Sequence, residues 1–466
     1  MCTNFPPACS TFSRWSKAAR RVALILLCVA SGAAPAPRAD AGSRALLKQA
    51  AENIQRYRQG RVTLRLIDQN GAPIADAALE IEQQTHWFSF GGAIRPQRYH
   101  DARYLKWFGS LFSMAQLLEF NWGQYEPDYG KPLVESRLQF IRRWCLPHGV
   151  ERFYGHMLVW TRQYGEYPKT ALPLWLFRHD RARQYELLRA RIQREVRAFK
   201  DVDIVWDLVN EPVHCRRWGD WDKPNNFDEP LEQVIPYVAD ALRWAHAANP
   251  EARLLINEYA IFASSHYRDR FRRLVEALLA QGVPLHAVGI QAHDLKARYW
   301  PAPQEVWAAC ELFGTKLGLD VYFTELCYRA DPESQVRGRY QSGFWTPQRQ
   351  AEAIEEFYRV AFGHPRVEGI VYFSLVDGDN WLPSIGLLDE QYNPRPAWHR
   401  LQRLIRHTWW TRLSGRSDSA GSFSFRGFYG RYRVRATIDG KAHVWRRTLR
   451  PGGPTVWELR IGGGHP

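Results

Sequence analysis

Ile204-Val-Trp-Asp-Leu-Val-Asn-Glu-Pro212 is a short apolar run that ends in an amide, a carboxylate and a proline. Similar apolar runs recur along the chain, and the gaps between them carry helical patterns. The eight runs cover residues 88–94, 111–118, 152–160, 204–210, 253–258, 287–291, 321–325 and 369–375. Alternation of strands with helices over this length predicts the α/β class and a (β/α)8 TIM barrel.

Polar and aromatic side chains collect where these runs end. They are His156, Trp160, Asn210, Glu211, Asn257, Glu258, Gln291, His293, Glu325 and Trp381. A barrel of parallel strands places its active site at the carboxyl ends of the strands. The pattern therefore predicts one cleft that is lined by these residues.

Two carboxylates stand out within this group. Glu211 closes the run quoted above, and Val321-Tyr-Phe-Thr-Glu325 repeats the arrangement three strands later. Retaining glycoside hydrolysis needs such a pair, because one carboxyl protonates the leaving oxygen while the other attacks the anomeric carbon. Either residue alone could equally be a surface glutamate at a helix start, where the helix dipole stabilises it.

Residues from about 90 to 400 resemble the family 10 glycoside hydrolases, which are typified by endo-1,4-β-xylanases. Six motifs carry the resemblance, in this order: Gly155-His-Met-Leu-Val-Trp160, Trp206-Asp-Leu-Val-Asn-Glu-Pro212, Leu255-Ile-Asn-Glu-Tyr259, Val288-Gly-Ile-Gln-Ala-His293, Phe323-Thr-Glu-Leu326 and Asp377-Gly-Asp-Asn-Trp381. The resemblance implies a retaining hydrolase of β-1,4 linkages, with xylan as the expected substrate, that needs no metal and no cofactor.

The same resemblance implies a role for each matched residue. Glu211 would be the acid/base and Glu325 the nucleophile. The expected substrate-binding residues are His156 and Asn210 for the sugar hydroxyls, Gln291 and His293 beside the nucleophile, Trp160 and Trp381 as walls, and Trp122. A core histidine or an ordinary packing tryptophan is the alternative for His293, Trp160 and Trp381.

Three departures from the family pattern concern substrate contacts. Leu117-Leu-Glu-Phe-Asn-Trp122 keeps the tryptophan of the second-strand motif but lacks its acid, amide and lysine. Cys327 stands where the family has an aspartate two residues after the nucleophile, and Phe373 replaces a tryptophan of the last strand. These changes predict that the reaction chemistry is kept while the contacts that bind the sugar differ.

The remaining segments predict flanking modules. Residues 1–41 resemble a signal peptide, with basic residues before a 13-residue apolar run at 22–34. We expect a secreted protein, extracellular or periplasmic, without stable membrane association after cleavage; an uncleaved anchor is the alternative. Residues 42–87 are predicted to form a helix and a β-module, in which residues 62–67 and 77–82 pair as strands. Residues 88–410 are predicted to form the barrel, and residues 411–466 a C-terminal β-module. The two small modules are expected to pack together, because a lone hairpin is marginally stable.

The net charge and the cysteine content of the chain limit the kinds of partner that we expect it to bind. The formal net charge is +15, and loss of residues 1–41 would remove five basic residues and one acid and leave +11. A basic protein attracts anions, so a uronate-bearing polysaccharide is a reasonable partner, whereas no zinc-finger spacing or basic helix points to nucleic acid. Cys145, Cys215, Cys310 and Cys327 form no CxxC motif, which argues against a metal site or a disulfide scaffold. We expect the protein to be a monomer. Two alternatives to a xylanase remain: a hydrolase of another β-linked glycan or glycoside, and a glycan-binding protein with feeble catalytic activity.

Overall fold

The computed structural model describes residues 41–162, 171–215, 217–219, 221 and 228–462. Its strands are β1 (Gln59–Ile67), β2 (Ala78–His86), β3 (Ser89–Ile94), β4 (Met114–Leu117), β5 (Arg152–Val159), β6 (Ile204–Asn210), β7 (Arg253–Glu258), β8 (Ala287–Ile290), β9 (Asp320–Leu326), β10 (Val367–Tyr372), β11 (Arg412–Arg416), β12 (Ser422–Phe428), β13 (Gly430–Ile438), β14 (Lys441–Leu449) and β15 (Val456–Arg460). Its helices include α1 (Ala41–Tyr57), α2 (Ala102–Leu111), α3 (Trp122–Tyr125), α4 (Val134–Phe140), α5 (Arg181–Ala198), α6 (Leu231–Ala248), α7 (Ser265–Ala280), α8 (Pro303–Cys310), α9 (Pro347–Gly363) and α10 (Pro396–Arg403).

Strands β3 to β10 form a closed parallel barrel in chain order, and β10 pairs with β3 to close it. The predicted (β/α)8 barrel is therefore confirmed. The run at 111–118 is shortened most as a strand, because Leu111 still belongs to α2 and β4 covers only Met114–Leu117. The buried face of α2 ends in Leu111, so its apolar signal merges with that of the strand.

The inside of the barrel is filled by side chains and is not a pore. A small separate core lies there, made of Met114, Tyr154, Val205, Leu255, Ala287, Tyr322 and Val371. The larger core surrounds it, where the helices pack on the outside of the strands. This packing fixes the strand ends that carry the functional side chains.

The N-terminal helix α1 is attached to the outside of the barrel beside α9. Gly363 of α9 approaches Ala50 so closely that a Cβ atom on the glycine would lie 2.6 Å from the Ala50 Cβ. Just after α1, the Arg58 guanidinium donates hydrogen bonds of 2.8, 2.6 and 2.7 Å to the carbonyls of Phe362, His364 and Val367. Helix and arginine together hold the N-terminal segment in place.

The two terminal β-segments combine into one sandwich, as the sequence predicts. One sheet has the order β12-β1-β15 and the other β11-β2-β13-β14. Their inner faces share a core that includes Leu64 of β1, Ile81 of β2, Val434 of β13 and Trp457 of β15. Each N-terminal strand thus lies between strands from the other end of the chain.

The expected pairing of residues 62–67 with 77–82 is wrong. Strands β1 and β2 lie in different sheets, and the isolated bridge at the turn joins Ile67 to Pro73, which lies before the expected partner segment. The turn at Asp68 does form, since its side chain accepts from the backbone N–H groups of Asn70 and Ala72. However, β1 and β2 each have one apolar face, and these two faces pack against each other across the sandwich. The edges of β1 are then free to pair with β12 and β15, and those of β2 with β11 and β13.

Within the described ranges, no helix is both long and apolar enough to cross a membrane. The predicted signal peptide, residues 1–41, lies outside the described residues apart from Ala41, where α1 begins. Signal cleavage therefore stays a prediction. Cys145, Cys215, Cys310 and Cys327 are buried free thiols.

Candidate active site

Six of the predicted site residues meet over the carboxyl ends of β5 to β9. They are His156, Asn210, Glu211, Gln291, His293 and Glu325, each less than one-tenth exposed. Parallel strands in a barrel bring their carboxyl ends to the same face, and loops there are free to carry polar groups. The shared burial and the hydrogen bonds described below make this group a single site.

Glu325 is the next-to-last residue of strand β9, and its carboxylate is surrounded by hydrogen-bond donors. His293 Nε2 lies 3.4 Å from Oε2, His156 Nε2 lies 3.8 Å from Oε1, and the Asn257 amide nitrogen lies 3.2 Å from Oε1. Burial raises the pKa of Glu325, but the hydrogen bond from His293 and the charges of the two histidines outweigh it, so the net pKa falls below its usual range. The carboxylate form is therefore the stable one, as a nucleophile requires.

The side chain of Asn257 links the two halves of the site. Thr324 donates a 2.7 Å hydrogen bond to Asn257 Oδ1, which leaves the amide nitrogen facing Asn210 Oδ1 at 3.0 Å and Glu325. Gly289 on the neighbouring strand makes room, because a Cβ atom there would lie 2.4 Å from Asn257 Oδ1. The sequence motif at 255–259 pointed to this position but not to its linking role.

His156 is oriented from behind by Asp207, a fully buried residue of β6. The two side chains are 2.7 Å apart between Nδ1 and Oδ2, so Nε2 faces Glu325. Burial lowers the pKa of His156, but the hydrogen bond to Asp207 and the surrounding carboxylates raise it by more. Sequence reasoning missed Asp207, although an aspartate inside an apolar strand is itself a signal, since a buried charge needs a partner.

Glu211 accepts hydrogen bonds on both of its oxygens. Gln291 donates to Oε1 at 3.2 Å, while Trp160 and Arg162 donate to Oε2 at 3.1 and 2.8 Å. Its backbone has a φ of +54°, a conformation rare for a residue with a side chain. A 2.7 Å bond from its N–H to the Asn257 carbonyl holds it there. Arg162 was not predicted from the sequence.

The aromatic side chains around this site differ in how deeply they are buried. Trp160 contacts Glu211, whereas Trp381 is 61% exposed and meets the His293 ring edge-on, with centroids 6.1 Å apart. Phe373 is nearly parallel to the same His293 ring at 6.2 Å, so it keeps a flat surface beside His293 but has no N–H to donate. An exposed indole next to such a site is suited to stack on a sugar face.

Trp122 is not brought to the surface of this site. It is 2% exposed, its indole donates to Glu126 at 2.9 Å, and it packs edge-on against Trp175. Its substrate-binding role stays a prediction. In the same altered segment, Glu119 has a φ of +65° and forms a 3.1 Å ion pair with Arg95, a contact that the sequence did not reveal.

Cys327 is completely buried, and burial raises the pKa of its thiol well above the usual range. At this position the protein therefore has a neutral thiol in place of the aspartate of the family pattern. Among the described residues, no group of three or more histidine, cysteine or acidic side chains is arranged to hold a metal ion.

The chain is similar to known proteins over the region that contains this site. The family model described as glycosyl hydrolase family 10 matches residues 116–403. An endo-1,4-beta-xylanase of Geobacillus stearothermophilus is 28% identical over 59% of this chain and 83% of its own length. Anti-sigma-I factor RsgI6 of Acetivibrio thermocellus is 27% identical over 85% of this chain, which spans only 47% of that relative.

Solved structures give the same fold. Native xylanase 10B from Thermotoga maritima matches with a TM-score of 0.55 at 21% identity, over 69% of this chain and 96% of that one. The Thermobacillus composti GH10 xylanase matches with a TM-score of 0.52 at 25% identity, over 68% and 96%. The family model covers more than half of the chain and includes both carboxylates, and the chain therefore belongs to glycosyl hydrolase family 10.

Proposed function

We propose that this protein is a retaining glycoside hydrolase that cleaves β-1,4 linkages in xylan. The observation that carries the proposal is the pair Glu211 and Glu325, at the ends of strands β6 and β9, joined through the amides of Gln291, Asn210 and Asn257. Two carboxylates in unlike surroundings suit the two roles of a double displacement. The xylanase relatives support xylan as the substrate.

In the first step, Glu325 attacks the anomeric carbon and the bond to the leaving oxygen breaks, while Glu211 passes a proton to that oxygen. In the second step, Glu211 takes a proton from water, which attacks the anomeric carbon and releases Glu325. His156, Asn210 and Gln291 surround the cleaved sugar as hydrogen-bonding groups in this proposal. Trp160 and Trp381 supply flat surfaces to either side.

We also propose that the protein acts outside the cytoplasm. A polysaccharide is too large to cross a bilayer unaided, and the predicted signal peptide would carry the protein to it. The predicted leader, residues 1–41, is the feature to test. The sequence of the mature N-terminus decides between cleavage and a retained anchor.

Retention of configuration is the expected outcome on xylan. Linear xylan and other β-glycans are incubated separately with the protein, and early products are followed by proton NMR and sized by chromatography. We expect β-configured xylo-oligosaccharides from xylan, because two inversions at one carbon restore the starting configuration. Products that first appear in the α-configuration would contradict the double displacement, and hydrolysis confined to another glycan would contradict the substrate.

The pH profile should respond to His293. Because its hydrogen bond lowers the pKa of Glu325, we expect His293→Phe to move the acidic limb of kcat/KM to higher pH, on the order of one unit. Glu325 must be ionised to attack, so activity is lost as pH falls through its pKa. An activated aryl β-xyloside is the substrate of choice, since its first step needs no proton from Glu211.

The control for this experiment is His266→Phe, which changes an exposed histidine whose partner is Asp228. It should leave the acidic limb where it is. A folded His293→Phe variant with an unchanged limb would show that His293 does not set the charge of the nucleophile.

A further inference from the structure

The outer face of the sheet β11-β2-β13-β14 is crowded with arginines. Strand β13 alternates between buried residues, which line the sandwich core, and exposed ones. Residues directly opposite each other on paired strands share a face, so the exposed row of β13 continues onto the neighbouring strands. The six arginines of this arginine face are Arg412, Arg416, Arg431, Arg433, Arg435 and Arg446. The same strands place two carboxylates there, Glu80 and Glu82, so positive charge is in excess.

The two carboxylates form ion pairs that leave the arginines accessible. Glu82 accepts from Arg412 and, at 2.7 Å, from Arg433, while Glu80 lies 3.7 Å from Arg435. Even so, the side chains of Arg433 and Arg435 are 53% and 51% exposed. Exposed ion pairs contribute little to stability, so these guanidinium groups can turn to another anion at small cost.

The arginines of β13 are not explained by the needs of the sandwich itself. Arg433 lies directly opposite Arg446, and like charges in that position are destabilising. Charges on an edge strand prevent pairing with other chains, but β13 lies between β2 and β14 and has no free edge. An anionic partner that lies across the face relieves this repulsion.

We propose that the arginine face is a binding site for a polyuronate, a polysaccharide with a carboxylate on each sugar. A guanidinium binds carboxylates in a paired, planar geometry. Side chains on one face of a strand repeat about every 6.7 Å, and neighbouring strands are about 4.8 Å apart. A polymer with closely spaced carboxylates therefore contacts several arginines at once, whereas an occasional acidic substituent contacts one.

The side chains on the arginine face favour a polysaccharide over other polyanions. Single-stranded nucleic acid binds by stacking its bases on aromatic rings, but Trp445 of β14 lies opposite Val434 and packs against the sandwich core. A duplex admits a helix or a two-stranded ribbon into its groove, whereas this sheet has four strands. A lipid surface is bound through large apolar side chains, and Val444 is the largest one that shares the face with Arg435. A polyuronate needs only guanidinium groups spaced over a flat surface.

The position of the arginine face leaves the cleft open while a polymer is bound. Arg431 forms an ion pair with Glu151, which lies just before β5. The face therefore adjoins the amino ends of the barrel strands, whereas Glu211 and Glu325 lie at the carboxyl ends. Attachment to a polyuronate holds the barrel among polysaccharides and raises the local concentration of its substrate. The inference does not depend on the reaction in the cleft.

The test compares two triple variants of the full chain that lose the same charge. The face variant combines Arg433→Gln, Arg435→Gln and Arg446→Gln. The control variant combines Arg61→Gln, Arg65→Gln and Arg460→Gln, at exposed positions of the other sheet. Calorimetry measures the affinity for unesterified polygalacturonate at about 0.15 M salt, where charges more than about 8 Å apart are largely screened. We expect the face variant to bind about tenfold more weakly than wild type and the control variant to stay within about twofold.

Two further measurements separate this site from the cleft and from misfolding. Glu325→Gln should bind polygalacturonate as tightly as wild type, so a failure of the proposed reaction leaves the inference standing. Thermal unfolding and the rate on linear xylan should be the same for both triple variants and wild type.

Three outcomes would overturn the inference. Equal weakening in the two triple variants would mean that only the general charge attracts the polymer. Equal affinity for methyl-esterified polygalacturonate would mean that no carboxylate is recognised. Tighter binding of a DNA duplex or of phosphatidylglycerol vesicles, lost in the face variant, would assign the arginine face to nucleic acid or to a lipid surface instead.

Discussion

Glu325→Gln is expected to lower hydrolysis of every β-linked substrate by on the order of 10⁴-fold or more, since an amide cannot form the glycosyl ester. The loss should be the same for xylan and for activated aryl glycosides, because both require attack at the anomeric carbon. Glutamine has nearly the shape of glutamate, so the surroundings made by His293 and Asn257 remain in place. Initial rates on an aryl β-xyloside and on xylan give the two numbers.

The matched control is Glu333→Gln, a substitution of the same chemistry at an exposed position outside the barrel strands. It should leave both rates unchanged. Thermal unfolding of Glu325→Gln should stay close to that of wild type, which separates lost chemistry from lost folding. Near wild-type turnover of the aryl substrate by Glu325→Gln would remove Glu325 from the role of nucleophile.

The barrel and its two carboxylates could be predicted because their signals are local. An apolar strand followed at once by a polar residue is visible in sequence, and parallel strands bring those ends together without further information. Glu211, Glu325 and Gln291 follow this rule, and each lies where its strand ends. The same rule finds Asn257, whose amide donates to Asn210 and to Glu325.

Features that depend on contacts between distant segments could not be predicted in this way. The pairing of β1 with β12 and β15 depends on which apolar rows face each other across the sandwich, and strand periodicity does not encode the partner. Trp122 matches a family position, yet it is buried against Trp175, because burial depends on neighbours supplied by another loop. Arg162 has no signal at all, since one arginine in a basic chain looks like any other.

The contrast between Arg162 and the general basicity of the chain also bears on catalysis. Charge that is spread over a surface acts over a Debye length and is screened by salt, whereas a buried ion pair is screened much less. Salt should therefore weaken the general attraction for an acidic polymer but spare the contact between Arg162 and Glu211. This ion pair lies on the carboxylate that we propose as the acid/base.

Glu211→Ala should separate substrates by their leaving groups. Hydrolysis of xylan is expected to fall by about 10²- to 10⁴-fold, because the sugar oxygen leaves poorly without a proton. An aryl glycoside with an acidic phenol leaves unaided, so its first step should proceed at close to the wild-type rate, and the glycosyl-enzyme should accumulate because the base for water is gone. A burst of phenol followed by slow turnover is the expected time course.

A small anion should then restore turnover. The alanine leaves a space next to Arg162 and Trp160, which held the carboxylate of Glu211, and azide placed there can attack the anomeric carbon from the face that water uses. We expect azide to speed release and to give a β-glycosyl azide, detectable by mass spectrometry and NMR. Glu211→Gln fills the same space and should show no such gain. Equal losses on xylan and on the aryl glycoside, with no burst and no response to azide, would mean that Glu211 is not the acid/base.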